Sequence, residues 1–132
     1  MHYLLDTNII SDLIKNPDGK AAGQIRTLAP NMVCTSVIVA GELRYGAAKK
    51  ASAKLSRRVE QLLGELPILP LDGDCADVYG RIRAGLERKG LPVGANDLWI
   101  AAHALAENMT LVTHNAQEFA RIEKLKTEDW LN

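Results

Sequence analysis

Four short apolar runs, at residues 3–5, 32–35, 68–71 and 109–113, are separated by much longer stretches. Several of those stretches carry apolar residues at helical spacing. Antiparallel strands can be joined by two residues, whereas a parallel pair needs a crossover of a dozen or more, usually helical. The pattern therefore predicts an α/β fold, a parallel sheet flanked by helices. Leu55, Val59, Leu62 and Leu66 share one helical face, and Val78, Ile82 and Leu86 repeat at a spacing of four. Asp72 or Asp74 is the expected N-cap of this second helix and Gly90 its left-handed stop. A third stripe, Leu98, Ala101, Ala102 and Leu105, has Asn96 as its expected N-cap and ends at Asn108. Ser36-Val37-Ile38-Val39-Ala40 fits two structures. Its β-branched run favours a strand, while Ser36 can equally cap a buried helix carrying Glu42.

With 132 residues the chain is expected to form one domain, 1–132, and a hydrophobic fraction of 47% excludes a disordered chain. Sixteen basic and sixteen acidic side chains cancel, so any nucleic-acid contact has to use local clusters. Cys34 and Cys75 form no Cys-x-x-Cys pair. They are expected to be buried or idle thiols, and so few soft ligands argue against zinc. Asp6 interrupts the first apolar run, which leaves neither a signal-peptide core nor a membrane span, and a cytoplasmic location is expected.

Ligands of an open parallel sheet bind beyond the carboxyl ends of its strands. Asp6 follows Tyr3-Leu4-Leu5, Thr113-His114-Asn115 follows Leu111-Val112, and Asp97 opens a helix after Gly94-Ala95-Asn96. Glu42 lies in an apolar stretch where an unpaired carboxylate is unfavourable. Each acid has a plain alternative. Asp6 can cap a helix starting near Ile9, Asp97 can be a first-turn acid, and Glu42 can pair with Arg44. Converging carboxylates, by contrast, would need a divalent cation; Mg²⁺ takes hard oxygen ligands and can support in-line displacement at phosphorus.

Leu5-Asp6-Thr7-Asn8-Ile9-Ile10-Ser11 surrounds the first of these acids, and Ser36-Val37 with Gly41-Glu42-Leu43-Arg44-Tyr45-Gly46-Ala47 the second; they resemble the first and second motifs of PIN domains in VapC-type toxins. Gly94-Ala95-Asn96-Asp97-Leu98-Trp99-Ile100-Ala101-Ala102-His103-Ala104-Leu105 resembles the third, and Leu111-Val112-Thr113-His114-Asn115-Ala116-Gln117-Glu118-Phe119 the fourth. Lys126-Thr127-Glu128-Asp129-Trp130 is similar to the usual tail. The motifs stand in family order over nearly the whole chain.

The resemblance implies a PIN-like three-layer sandwich with a central parallel sheet of four to five strands. It makes Ser36 the start of a helix that projects Glu42 into an acidic pocket. It also implies a Mg²⁺-dependent endoribonuclease, with Mn²⁺ able to substitute, in which Asp6 and Asp97 bind metal. Glu42 binds it too, directly or through water, and orients or deprotonates the attacking water. Many relatives have an aspartate where Asn115 stands. Here either Glu118 supplies the fourth carboxylate or it lies outside the pocket as a helix-start acid. One Mg²⁺ is the expected resting state. Thr7, Asn8 and Thr113 are expected to position acids and waters, Ser11 to be a helix-start hydroxyl, His103 a packed helix histidine, and His114 a residue of the pocket rim.

RNA contact is expected from Lys49, Lys50, Lys54, Arg57, Arg58, Arg81, Arg83, Arg88 and Lys89, although each alone also reads as a solvated helix face. By the same resemblance the RNA includes transfer RNA, and the partners are a cognate VapB-like antitoxin, which binds operator DNA, and a second copy of the chain. A receiver or haloacid-dehalogenase-like site fits poorly, because Thr7-Asn8 follows Asp6 and no lysine closely follows Thr113. A non-catalytic PIN module acting as an RNA-binding or scaffold subunit is the remaining alternative.

Overall fold

A computed structural model describes residues 1–132. Its centre is a five-stranded, all-parallel sheet of order β3-β2-β1-β4-β5. The strands are β1 (Tyr3–Leu5), β2 (Val33–Ser36), β3 (Ile68–Leu69), β4 (Thr110–Val112) and β5 (Thr127–Glu128). Around them lie α1 (Thr7–Lys15), α2 (Lys20–Arg26), α3 (Val37–Lys50), α4 (Ala53–Leu63), α5 (Gly73–Arg88), α6 (Ala95–Ala106) and α7 (Ala116–Phe119). Four strands fall on the four apolar runs. The fifth belongs to the motif-bearing tail, where two residues pair with β4 without any apolar alternation to announce them.

Leu4 and Leu5 point to opposite faces of the sheet, and both are fully buried. Helices therefore cover both faces, as a parallel sheet requires. The chain winds outward from β1 through β2 to β3, then returns to add β4 on the other side of β1. Neighbouring strands β1 and β4 thus leave the sheet toward different helices, and their carboxyl ends form its topological switch point. The Asp6 amide donates to the Val112 carbonyl at 2.9 Å, extending this pairing to the last residue before the helix.

Ser36 resolves the ambiguous segment. It ends β2, and its Oγ accepts from the Ile38 amide at 3.1 Å, so the chain turns into α3 at once. Val39, Ala40, Leu43 and Ala47 then form the buried face of α3. Burial at spacings of one, three and four overrides the strand propensity of Val37, Ile38 and Val39. Asp72 caps α5, Gly90 beyond it has φ 68°, and Asn108 ends α6 at φ 54°. One expected cap fails: Gly94, without a side-chain bond, is the N-cap of α6, and Asn96 lies inside its first turn. Asn96 is thereby free to reach across to α3.

Candidate active site

Asp6 occupies the switch point. It is the N-cap of α1, and both carboxylate oxygens are engaged. Oδ1 accepts from the Thr7 amide at 2.7 Å and Oδ2 from the Thr113 hydroxyl at 2.8 Å. The capping and site readings of this residue are therefore compatible, because capping fixes the carboxylate without neutralising it. Only 4% of Asp6 is exposed. Burial raises its pKa, bonds from Thr113 and the Thr7 amide oppose that rise, and the nearby Glu42 and Glu118 charges reinforce it.

Glu42 arrives from α3. Its Oε1 accepts from Thr7 Oγ1 at 2.6 Å and its Oε2 lies 3.4 Å from Asn96 Nδ2. Pairing with Arg44 does not occur, because Arg44 binds Glu60 on α4 through two bonds of 2.9 and 3.0 Å. Asp97 stands in the first turn of α6. Its pKa is pushed up to about 6, first by burial, then by the charges of Asp6, Glu118 and Glu42, and by Glu118 within hydrogen-bonding reach. Glu118, in the first turn of α7, lies beside Asp97 but does not line the cleft that the other three acids share.

An open cleft of about 510 Å³ is lined by Asp6, Thr7, Asn8, Glu42, Asp97 and Asn115, with Ser11, Asp12, Lys15, His114 and Leu131 completing it. Asn8 accepts from the His114 amide at 3.0 Å, tying α1 to the loop after β4. His114 Nδ1 lies 3.0 Å from Asp129, which holds the ring at the rim. Asn115 borders the cleft with its side chain uncommitted to capping α7, and its amide donates to Thr113 Oγ1 at 3.0 Å. Ser11 has no histidine or lysine hydrogen-bonded to it that would make it a nucleophile.

Every ion pair of the protein uses other acids: Glu60, Asp77, Glu87, Glu123 and Asp129. Asp6, Glu42, Asp97 and Glu118 therefore converge without a bonded cationic side chain. The neighbouring charges raise the proton affinity of Asp6 and Asp97, and a cation among them would relieve that repulsion. All the donors are hard oxygens, as Mg²⁺ or Mn²⁺ prefers. The residues present thus fit a divalent ion.

The basic residues divide. Lys50 borders a groove that shares Thr7 and Glu42 with the acidic cleft. Lys49, Lys54, Arg57 and Arg58 are exposed on α3 and α4, and Arg88 is exposed at the end of α5. Arg81 pairs with Asp77, Arg83 with Glu87, and Lys89 with Glu123. The structure adds Lys15, which lines the cleft itself. It was legible as the third member of Thr7, Ser11 and Lys15, spaced by four on one helical face. Asn96 is the other addition, hidden by its resemblance to a cap.

Fold and cleft together define an α/β protein with an acidic centre at the switch point of its sheet. A family model for the PIN domain matches residues 3–125, and the chain belongs to the PIN-domain family, in its VapC branch. It is 42% identical over 132 residues to Ribonuclease VapC2 of Rickettsia felis, covering 98% of each chain. It is 37% identical over 131 residues to the tRNA(fMet)-specific endonuclease VapC of Shigella flexneri, again covering 98% of each. Its structure resembles that of VapBC2 from Rickettsia felis bound to a DNA fragment from their promoter. That likeness has a TM-score of 0.92 and 41% identity over 98% of this chain and 99% of the other.

Proposed function

We propose that this protein is the toxin of a type II toxin–antitoxin pair and a metal-dependent endoribonuclease. The observation that carries this reading is the convergence of Asp6, Glu42 and Asp97, without an ion-pair partner, in a cleft open to solvent, with Glu118 beside Asp97. Asp6, Asp97 and Glu42 are the residues that would hold Mg²⁺ or Mn²⁺. Bound there, the ion would neutralise the acids and stabilise negative charge on a phosphoryl group.

The chain's own groups do the positioning. Thr113 and the Thr7 amide fix both oxygens of Asp6, and the Thr7 hydroxyl fixes Glu42. Glu42 Oε2, held only by the long contact with Asn96, is placed to accept a proton from the attacking water. Asn115 orients that water, and Glu118 sustains the field that keeps Asp97 basic. Attack at phosphorus breaks the P–O3′ bond and leaves a 5′-phosphate and a 3′-hydroxyl. Lys15 and Lys50, beside the acids, grip backbone phosphates.

Transfer RNA is the substrate class of choice, since a relative with 37% identity is named a tRNA(fMet)-specific endonuclease. A VapB-like antitoxin would cover the cleft, in a cytoplasmic assembly of paired toxin chains; structures of VapBC complexes support this partner. The test is incubation of purified protein with transfer RNA, in Mg²⁺ and in chelator. Wild type is expected to cut only with Mg²⁺, leaving 5′-phosphate ends, and Asp6→Ala to lose cleavage with an unchanged circular-dichroism spectrum. Chelator-resistant cleavage, or cleavage by Asp6→Ala, would remove the metal-site reading. Binding without cleavage by the wild type would make the protein a non-catalytic module.

A further inference from the structure

The Nε2 of His103 is a buried side-chain atom with no hydrogen-bond partner, in a residue that is 0% exposed. Leaving such a nitrogen unpartnered costs about 1–3 kcal/mol. The other ring nitrogen is held: Nδ1 lies 2.8 Å from Ser36 Oγ. Ser36 Oγ also accepts from the Ile38 amide, and a hydroxyl can accept twice. If Nδ1–H donates to Ser36, the lone pair of Nε2 faces the interface of α5 and α6. A serine fixing the remote nitrogen is the kind of support that metal-bound histidines receive.

Two further donors face the same point. Glu107 is four residues after His103, on the same side of α6, and Cys75 comes from the first turn of α5. Nitrogen, sulfur and carboxylate oxygen all lie within 4.8 Å of one another. Cys75 is fully buried, while Glu107 is exposed and opens the cluster to solvent. None of the three lines the acidic cleft, and His103 is about 9 Å along the helix axis from Asp97.

We propose that Cys75, His103 and Glu107 form a second metal site, which takes a zinc-class ion and staples α5 to α6. Mixed sulfur, nitrogen and oxygen donors select Zn²⁺ over Mg²⁺, which wants oxygen alone. Three protein ligands leave a fourth position for water. On binding, the Cys75 thiol proton passes to solvent and the sulfur–metal bond replaces the S–H bond. Burial, with the neighbouring Asp72 and Glu107, holds the Cys75 thiol above its ordinary pKa in the metal-free chain, so the charge of the ion itself is what drives the proton off.

The experiment uses the full chain, stripped of metal and returned to excess Mg²⁺ so that the carboxylate cleft is filled. Co²⁺ is then added as a spectroscopic substitute for zinc. A thiolate-to-cobalt charge-transfer band is expected in the near ultraviolet, saturating at one ion per chain and displaced by Zn²⁺. Cys34→Ser and Asp6→Asn should keep the band, Cys75→Ser should lose it, and Glu107→Ala should weaken Co²⁺ binding more than about tenfold. Glu107→Ala changes an exposed residue, so the test stands even where Cys75→Ser folds poorly. No band in the wild type, a band surviving Cys75→Ser, or unchanged affinity in Glu107→Ala would overturn the proposal.

Discussion

Asp97 shows how an acidic centre trades stability for chemistry. In the folded chain its pKa is about 6 against an ordinary 3.8. Between those values the folded state binds more protons than the unfolded one, so its stability falls as pH rises through that window. The loss persists above it. In metal-free protein, Asp97→Asn is therefore expected to raise stability at pH 7 by about 1–2 kcal/mol, the shift being discounted for partial exposure. Below pH 4 the two proteins should be equally stable. Denaturant melts in chelator at both pH values check this, and a variant less stable at pH 7 would mean that Asp97 is not repelled by its neighbours. Wild type should recover the difference on adding Mg²⁺, which supplies the missing counter-charge.

The elements bring their acids together through caps and short polar links. Thr7 joins α1 to α3, Thr113 joins β4 to the start of α1, and Asn96 joins α6 to α3. Another helix end carries strain unrelated to the site. Ala51 closes α3 at φ 51°, in the left-handed region where a Cβ is crowded. Ala51→Gly is expected to stabilise the protein by about 0.5–1 kcal/mol, since glycine adopts this conformation without that crowding. Cleavage should be unaffected, and thermal unfolding reads the change; a lowered melting temperature would show that the entropy lost from the unfolded chain outweighs the relief.

Across the whole molecule a net charge of zero conceals an uneven field. Lys15 and Lys50 border the acids, whereas Arg81 and Arg83 are committed to ion pairs along α5. Lys15→Glu and Lys50→Glu should weaken RNA binding more than Arg81→Glu, and each should flatten the dependence of log K on log salt by roughly 0.7 for every phosphate no longer neutralised. Equal slopes in all three variants would place the grip elsewhere. Much of this organisation is local and therefore legible in the sequence. Apolar runs set the four main strands, Ser36, Asp72, Gly90 and Asn108 mark turns, and Asp6, Glu42 and Asp97 stand in recognisable surroundings. Local patterns could not separate Asn96 the cap from Asn96 the partner of Glu42, because both uses need the same amide. Nor could they place Glu118, whose role depends on where α7 lands against α6. Cys75 and His103, 28 residues apart, carry no metal-ligand spacing, and the sequence leaves them as an idle thiol and a packed ring. Their meeting was decided only by the packing of α5 on α6, because ligand geometry is a property of positions in space and not of order along the chain.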